Sequence, residues 1–383
     1  MDTKTNFQFL KGLLILTSFL TFACQNEETP APVVEPPISS GNSAIELIED
    51  QINGANIMIV GSPVDGFIVS FELKDDFEQL TFETIQGELP TILRDSEGNE
   101  WDWFGQAVKG PRTGAQLPIP NAYMGYWLTF GAMYPGIELY SGQEARGNLP
   151  QPQANHPDWL IPTDFLFQGS GFDAITPLDK PIFEKYDFKN DQENGFYLKD
   201  QDLVVGVQVG QEVRGYSHAV ADWHEVVNDE IGNQALAIIY CPLTGTACAW
   251  DRIHNNEELV FGVSGLLYNT NVIPFDRQTN SHWTQIENRA VRGDLKGTRL
   301  KKLPVIEMPW RTWKAVYKTP TVLSGNQGTG LDYKEYPYGD YRTNHDYLAY
   351  PITYDDDRLP RKERVYAVIV DGKAKAYQWR DFE

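Results

Sequence analysis

Apolar residues along this chain fall into short runs of five to seven, each closed by Gly, Asn or Asp, and rich in Val, Ile and Phe. Such runs predict buried or half-buried strands. They lie at 56–60, 66–72, 203–209, 235–240, 246–251, 258–263, 272–276 and 364–370. Wider apolar spacing predicts short helices over 123–133, 217–228 and 307–316. Between the fourth and fifth strands, Pro242-Leu243-Thr244-Gly245 reads as a turn. The expected fold class is α+β, mostly antiparallel β, with short helices.

The pattern also repeats. Residues 107–142 align without a gap onto 290–325 with eleven identities, among them Gly110/Gly293, Trp127/Trp310, Ala132/Ala315 and Tyr134/Tyr317. Upstream, Pro63 and Gly66 lie over Pro242 and Gly245, and Phe71 over Trp250. Residues 204–209 lie over 365–370. These relations predict a single closed domain, 43–383, of two copies related by a pseudo-two-fold axis. Copy one is 43–142 completed in space by 364–383, copy two is 198–325, and 143–197 and 326–363 are connections. A pairing between the chain ends would lock such a domain, as a terminal strand does in a propeller.

The first 42 residues read differently. Lys4 and Lys11 precede an apolar run at 12–23, too short to span a membrane, which fits a signal peptide over 1–23. Leu20-Thr21-Phe22-Ala23-Cys24 resembles a bacterial lipobox, which implies lipidation of Cys24. Residues 24–42, rich in Pro, Glu and Ser, read as a flexible tether. Within it, Gln25-Asn26-Glu27-Glu28 resembles the acidic export tag of Bacteroidota surface lipoproteins. The expected place is the bacterial envelope, at the outer membrane, with the membrane as partner through the lipid. The formal net charge of −21 argues against nucleic acid and against anionic headgroups as partners.

Candidate chemistry gathers in copy two. There Cys241 lies over Ser62, His224 over Ile45 and Asn228 over Glu49, so a thiol, an imidazole and an amide occur on one side only. This favours a single site. One reading is a Zn or Cu centre using His224 and Cys241 with Cys248 or His282. Another is a Cys241 nucleophile with His224 as base and Asn228 as orienting group. A third makes Cys241 a buried small hydrophobe. In an oxidising compartment Cys241 and Cys248 are either a disulfide or two buried thiols. Asp276 and Arg277 are candidates for ligand binding or for pairing with nearby charges. Asp355-Asp356-Asp357 reads as a solvated charge run. The seven tyrosines of 331–354 either form a binding surface or seal the loop onto the domain. No Gly-rich phosphate loop, Ser nucleophile elbow or His-Glu-x-x-His motif occurs, which disfavours P-loop NTPases, common hydrolases and zincins.

His224-Glu225-Val226-Val227-Asn228-Asp229, the Cys241-Pro242-Leu243 turn, Ser264-Gly265-Leu266-Leu267-Tyr268-Asn269 and Phe275-Asp276-Arg277-Gln278-Thr279 stand in an order that resembles the Domain of Unknown Function 3179 family. The resemblance runs from about Leu198 to the C-terminus and implies no established activity. The family pattern reads Cys-Pro-Leu-Cys-Gly, whereas here Thr244 holds the second cysteine position, which removes a Cys-x-x-Cys pair. The functional expectation is an envelope lipoprotein that binds a metal or small ligand at one site in copy two. Alternatives are a thiol-dependent enzyme using Cys241 with His224, and a non-catalytic envelope scaffold with the tyrosine-rich loop as its contact surface.

Overall fold

The computed structural model describes residues 44–142, 149–150, 152–188 and 196–383. The expected signal peptide, the candidate lipidation site Cys24 and the expected tether therefore lie outside the described residues. The described chain is mostly β, in small antiparallel sheets, with three short α-helices. No sheet closes into a barrel, so closure in that sense does not occur among the described residues.

Two three-strand meanders carry the longest apolar runs. One is Glu46–Ile52, Ala55–Ser62 and Phe67–Leu73. The other is Val226–Ile231, Gln234–Cys241 and Thr246–Asp251, with Lys302–Leu303 on its edge. Their hairpin turns need backbone at positive φ, which Gly66 and Gly245 supply at 73° and 61°. Each glycine is also pressed by a strand end. An added Cβ at Gly66 would stand 2.6 Å from Pro309 Cδ, and one at Gly245 would stand 3.0 Å from Tyr126 Cζ.

Two further sheets share one strand order and sense. In the first, Arg364–Val370 lies between Asn121–Tyr126 and Lys373–Tyr377, and Glu138–Leu139 joins Lys373–Tyr377 in parallel. In the second, Leu203–Val209 lies between Val305–Pro309 and Glu212–Ser217, and Thr321–Leu323 joins the latter in parallel. Arg364 faces Tyr126 and Leu203 faces Pro309; Lys375 pairs with Glu138 and Arg214 with Thr321. The last residues of the chain thus form the centre of a sheet whose edges come from the first half.

The helices correct three expectations. Helix α1 is Trp127–Met133, α2 is His218–His224 and α3 is Trp310–Val316. All are shorter than their apolar patterns because each pattern runs through a strand–helix junction. Residues 123–126 and 307–309 belong to strands, held by the ladders to Arg364–Val370 and Leu203–Val209. Asn228 belongs to a strand as well, paired with Ala237. Trp127 and Trp310, which open α1 and α3, are fully buried. The core beneath the second meander centres on Trp250, packed on Phe261 and Trp283 with ring centroids at 5.2 and 6.2 Å.

Asp355-Asp356-Asp357 is solvated only in part: Asp355 and Asp357 are exposed. Asp356 is buried and paired with Arg358 at 2.7 Å, and Asp355 is paired with Arg361. Asp356 can be buried because Arg358 supplies its countercharge.

Candidate ligand cavity

Helix α2 starts from Ser217, whose side chain accepts from Val220 N, and ends at His224. Its C-cap is Glu225, at φ 58° and ψ −33°. Positions of this kind favour glycine, and holding another residue there costs about 1 kcal/mol. The neighbours hold it there: Glu225 N donates to Ala221 O at 2.8 Å, and Tyr240 N donates to Glu225 O at 2.7 Å. The chain leaves Glu225 directly into Val226–Ile231. Its side chain is thereby fixed between a helix end and a sheet.

The carboxyl lines a cavity of about 340 Å³, within the size range of small-molecule sites. Other lining residues are Leu243 of the hairpin turn and Tyr338, Tyr341, Tyr347 and Tyr350 of the tyrosine-rich segment. That segment is tied down at several points. Tyr341 Oη donates to Leu243 O at 2.9 Å, Thr270 Oγ1 donates to Tyr350 O at 3.1 Å, and Arg342 pairs with the buried Asp222. Lys362 Nζ donates to Tyr347 O at 2.7 Å and lies 3.7 Å from the centre of the Tyr341 ring. Tyr333 and Tyr341 are buried, whereas Tyr347 is 46% exposed. The segment therefore both seals an edge and walls a cavity.

Three carboxyls that are buried or largely buried differ in their partners. Asp222 has Arg342. Glu307 has His218 at 3.0 Å and Arg364. Burial pushes Glu307 up, but Arg364 and His218 outweigh it, and its carboxyl lies below the ordinary value. Glu225 has only the hydroxyl of Tyr338, at 3.3 Å from Oε1. No Lys, Arg or His lines its cavity. Burial pushes this carboxyl up to about 7, with the Tyr338 hydrogen bond pulling the other way. Burial and the adjacent Glu225 charge hold the Tyr338 hydroxyl far above its ordinary range.

The residues singled out in the sequence are placed apart by their own bonds. Cys241 is buried at the end of its strand, its Sγ 3.6 Å from Thr270 O. Burial, then the charge of Glu225, pushes its thiol up to about 11. Cys248 is buried on the next strand, opposite Ile239, with its thiol up to about 12 through burial. Both cysteines are free. His224 uses both ring nitrogens, 2.6 Å from Thr176 O and 2.7 Å from Tyr333 Oη, and burial holds its pKa down. Asn228 clamps a neighbouring strand: its amide donates to Phe261 O and accepts from Phe261 N. His224 and Asn228 thus bond to other groups rather than to Cys241, and no Cys-His-Asn triad forms. Among the described residues no group of three or more His, Cys, Asp or Glu is placed to hold a metal ion. The Zn or Cu reading therefore lacks a ligand set: His282 sits edge-on to Trp159, with its pKa lowered by burial.

Asp276 and Arg277 point to structural work. Asp276 accepts from Thr279 N, Thr279 Oγ1 and Trp283 Nε1, which closes the turn. Arg277 pairs with Asp179 at 2.6 Å and Asp173 at 3.2 Å. Thr244 joins a buried network: Asn271 Nδ2 donates to Thr244 Oγ1 at 2.9 Å and to Gln285 Oε1 at 2.8 Å. A threonine there makes hydrogen bonds that tie the hairpin turn to the adjoining sheet.

Sequence reasoning missed Glu225. The available signal was its position between an apolar helix and an apolar strand, within one of the family-like stretches. A second, more open cavity of about 520 Å³ lies among Trp159, Phe172, His282 and Arg292.

The family model described as Protein of unknown function (DUF3179) matches residues 172–383, and the chain belongs to that family. The match takes in Glu225 and all the tyrosines of the cavity. No curated protein and no solved structure matches the chain.

Proposed function

We propose that this member of the family is a small-molecule-binding lipoprotein of the bacterial envelope, with one binding site at the Glu225 cavity. The observation that carries the reading is a buried carboxyl without a cationic partner, opening into a tyrosine-walled cavity. A buried ionisable group that its surroundings leave uncompensated costs stability, and such groups concentrate at functional sites. The lipobox-like Cys24 and the polar stretch after it supply the anchor and tether in this reading.

We read the fold as two copies, 43–142 completed by 364–383 and 198–325. The matching strand orders and registers of the two four-strand arrangements support it. So does the pairing partner of Glu225. The place of Glu225 in the other copy is taken by Glu46, which faces Gly61 much as Glu225 O meets Tyr240 N. Glu46 is exposed on a strand, whereas Glu225 is buried in the cavity. The two equivalent positions thus differ in backbone and in side-chain environment, and in this reading only the second makes a site.

A thiol enzyme is less well supported. Cys241 is buried and protonated at neutral pH, and its expected base bonds elsewhere. The scaffold reading is weakened by the burial of Tyr333 and Tyr341, which spend their faces inward.

The test is a melting-temperature survey of the full chain against small amines, alcohols, sugars and carboxylates, repeated on Leu243→Trp, which fills the cavity. Stabilising compounds that lose their effect in Leu243→Trp support the reading. A survey in which no class stabilises the native protein overturns it.

A further inference from the structure

Resting on the cavity reading above, we infer that the ligand class is a small organic cation, an ammonium compound whose charge meets the Glu225 carboxylate among the tyrosine rings. Charge pairing around the cavity leads to this. Asp222 is a buried carboxyl and Glu307 a largely buried one, and each has a guanidinium of the chain itself, Arg342 and Arg364. Glu225 is buried too and has none. The cavity contains one acid and no base among its lining residues. Whatever occupies it must bring the countercharge if the carboxyl is to ionise without a large desolvation cost.

The walls suit such a charge. Tyrosine faces carry negative quadrupole potential and attract ammonium groups. Rings of this same segment already do so with the protein's own cations. Arg342 lies 3.8 Å from the centre of the Tyr336 ring, and Lys362 lies 3.7 Å from that of Tyr341. The lining rings of Tyr338, Tyr347 and Tyr350 have no such partner among the described cation–ring contacts. Leu243, Leu266 and Leu267 add an apolar surface for the organic part. At long range the net charge of −21 draws cations toward the protein and repels anions.

The experiment is calorimetric titration of the full chain at pH 8 with benzylammonium and with benzyl alcohol, which has the same shape and no charge. Benzylammonium should bind about tenfold or more tightly than the alcohol, and Glu225→Gln should remove the preference. In the native protein alone, benzylammonium affinity should fall as the pH is lowered from 8 to 5, while the alcohol's does not. Equal binding of both probes, with both lost in Leu243→Trp, overturns the cation class and leaves the cavity reading intact. A preference that survives in Glu225→Gln also overturns it. Failure of both probes, together with an empty survey, overturns the cavity reading and this inference with it.

Discussion

Tyr338 Oη stands 3.3 Å from Glu225 Oε1, although 113 positions separate the two residues along the chain. The contact joins the tyrosine-rich segment to the end of α2, and it is the sole hydrogen bond to that carboxyl among the described residues. The site thus depends on a connection that folds back over a sheet.

Stability should fall with rising pH on account of Glu225. Its carboxyl goes from an ordinary 4.5 to about 7 on folding, through burial. Between these values the folded chain binds more protons than the unfolded one. The stabilising share is present below the ordinary value and lost as pH rises through the folded one. The loss is about 3 kcal/mol in all. Urea unfolding of the native protein and Glu225→Gln should show the mutant gaining on the native protein from pH 5 to pH 8. A difference that stays flat across that range contradicts the assignment.

Glu225→Gly should stabilise the fold while removing the preference for the cation. Glycine relieves the positive φ by about 1 kcal/mol and removes a buried acid that lacks a countercharge. The expected result at pH 8 is a higher unfolding midpoint and no preference for benzylammonium over benzyl alcohol. A lower midpoint would mean that the carboxyl holds the structure together.

Arg342→Ala should loosen the tyrosine segment. It strands Asp222, whose side chain is 3% exposed, and frees the ring of Tyr336. The Arg342 side chain is 38% exposed, so screening trims the penalty for a broken buried pair to about 2–3 kcal/mol. Adding Asp222→Asn should restore part of it. Protease cleavage within 331–354 should speed up in the single variant. Unchanged cleavage and midpoint would show that other contacts hold the segment.

Cys241 and Cys248 should resist alkylation in the native state. Both thiols are buried and held protonated, up to about 11 and about 12. At pH 8, iodoacetamide should modify them only at the rate of global opening, and in urea at once. Rapid native labelling of Cys241 would revive the thiol-enzyme reading.

A chain ending at Lys362 should not fold. It lacks Arg364–Val370 and Lys373–Tyr377, which pair Asn121–Tyr126 and Glu138–Leu139, and it lacks Phe382, whose ring lies against Gly61. The buried area lost exceeds what a marginally stable domain can give up. Near-ultraviolet circular dichroism should be flat; a native spectrum would show the first half to be independent.

How much was legible in the sequence follows from what each signal reports. The apolar run at 235–240 marked the strand Gln234–Cys241, and Pro242 to Gly245 marked its turn, because burial and turn chemistry are local demands. The same signal failed at 123–126 and 307–309. Hydrophobic spacing tells which side chains leave water, but not which backbone partner completes the hydrogen bonds, and there the partner was a strand from elsewhere in the chain. Cys241, His224 and Asn228 stood out by residue type, yet their bonding is to Thr270, Thr176, Tyr333 and Phe261, contacts made by packing. Glu225 carried only a positional mark, between a helix and an apolar strand. A glutamate after a helix is ordinarily solvated; here the tyrosine segment packs against it, and Arg342 and Arg364 are paired with Asp222 and Glu307 instead. The sequence by itself determined the β-rich class, the hairpin and the family. Tertiary structure decided the site, because a carboxyl's solvation and countercharge are set by residues distant along the chain.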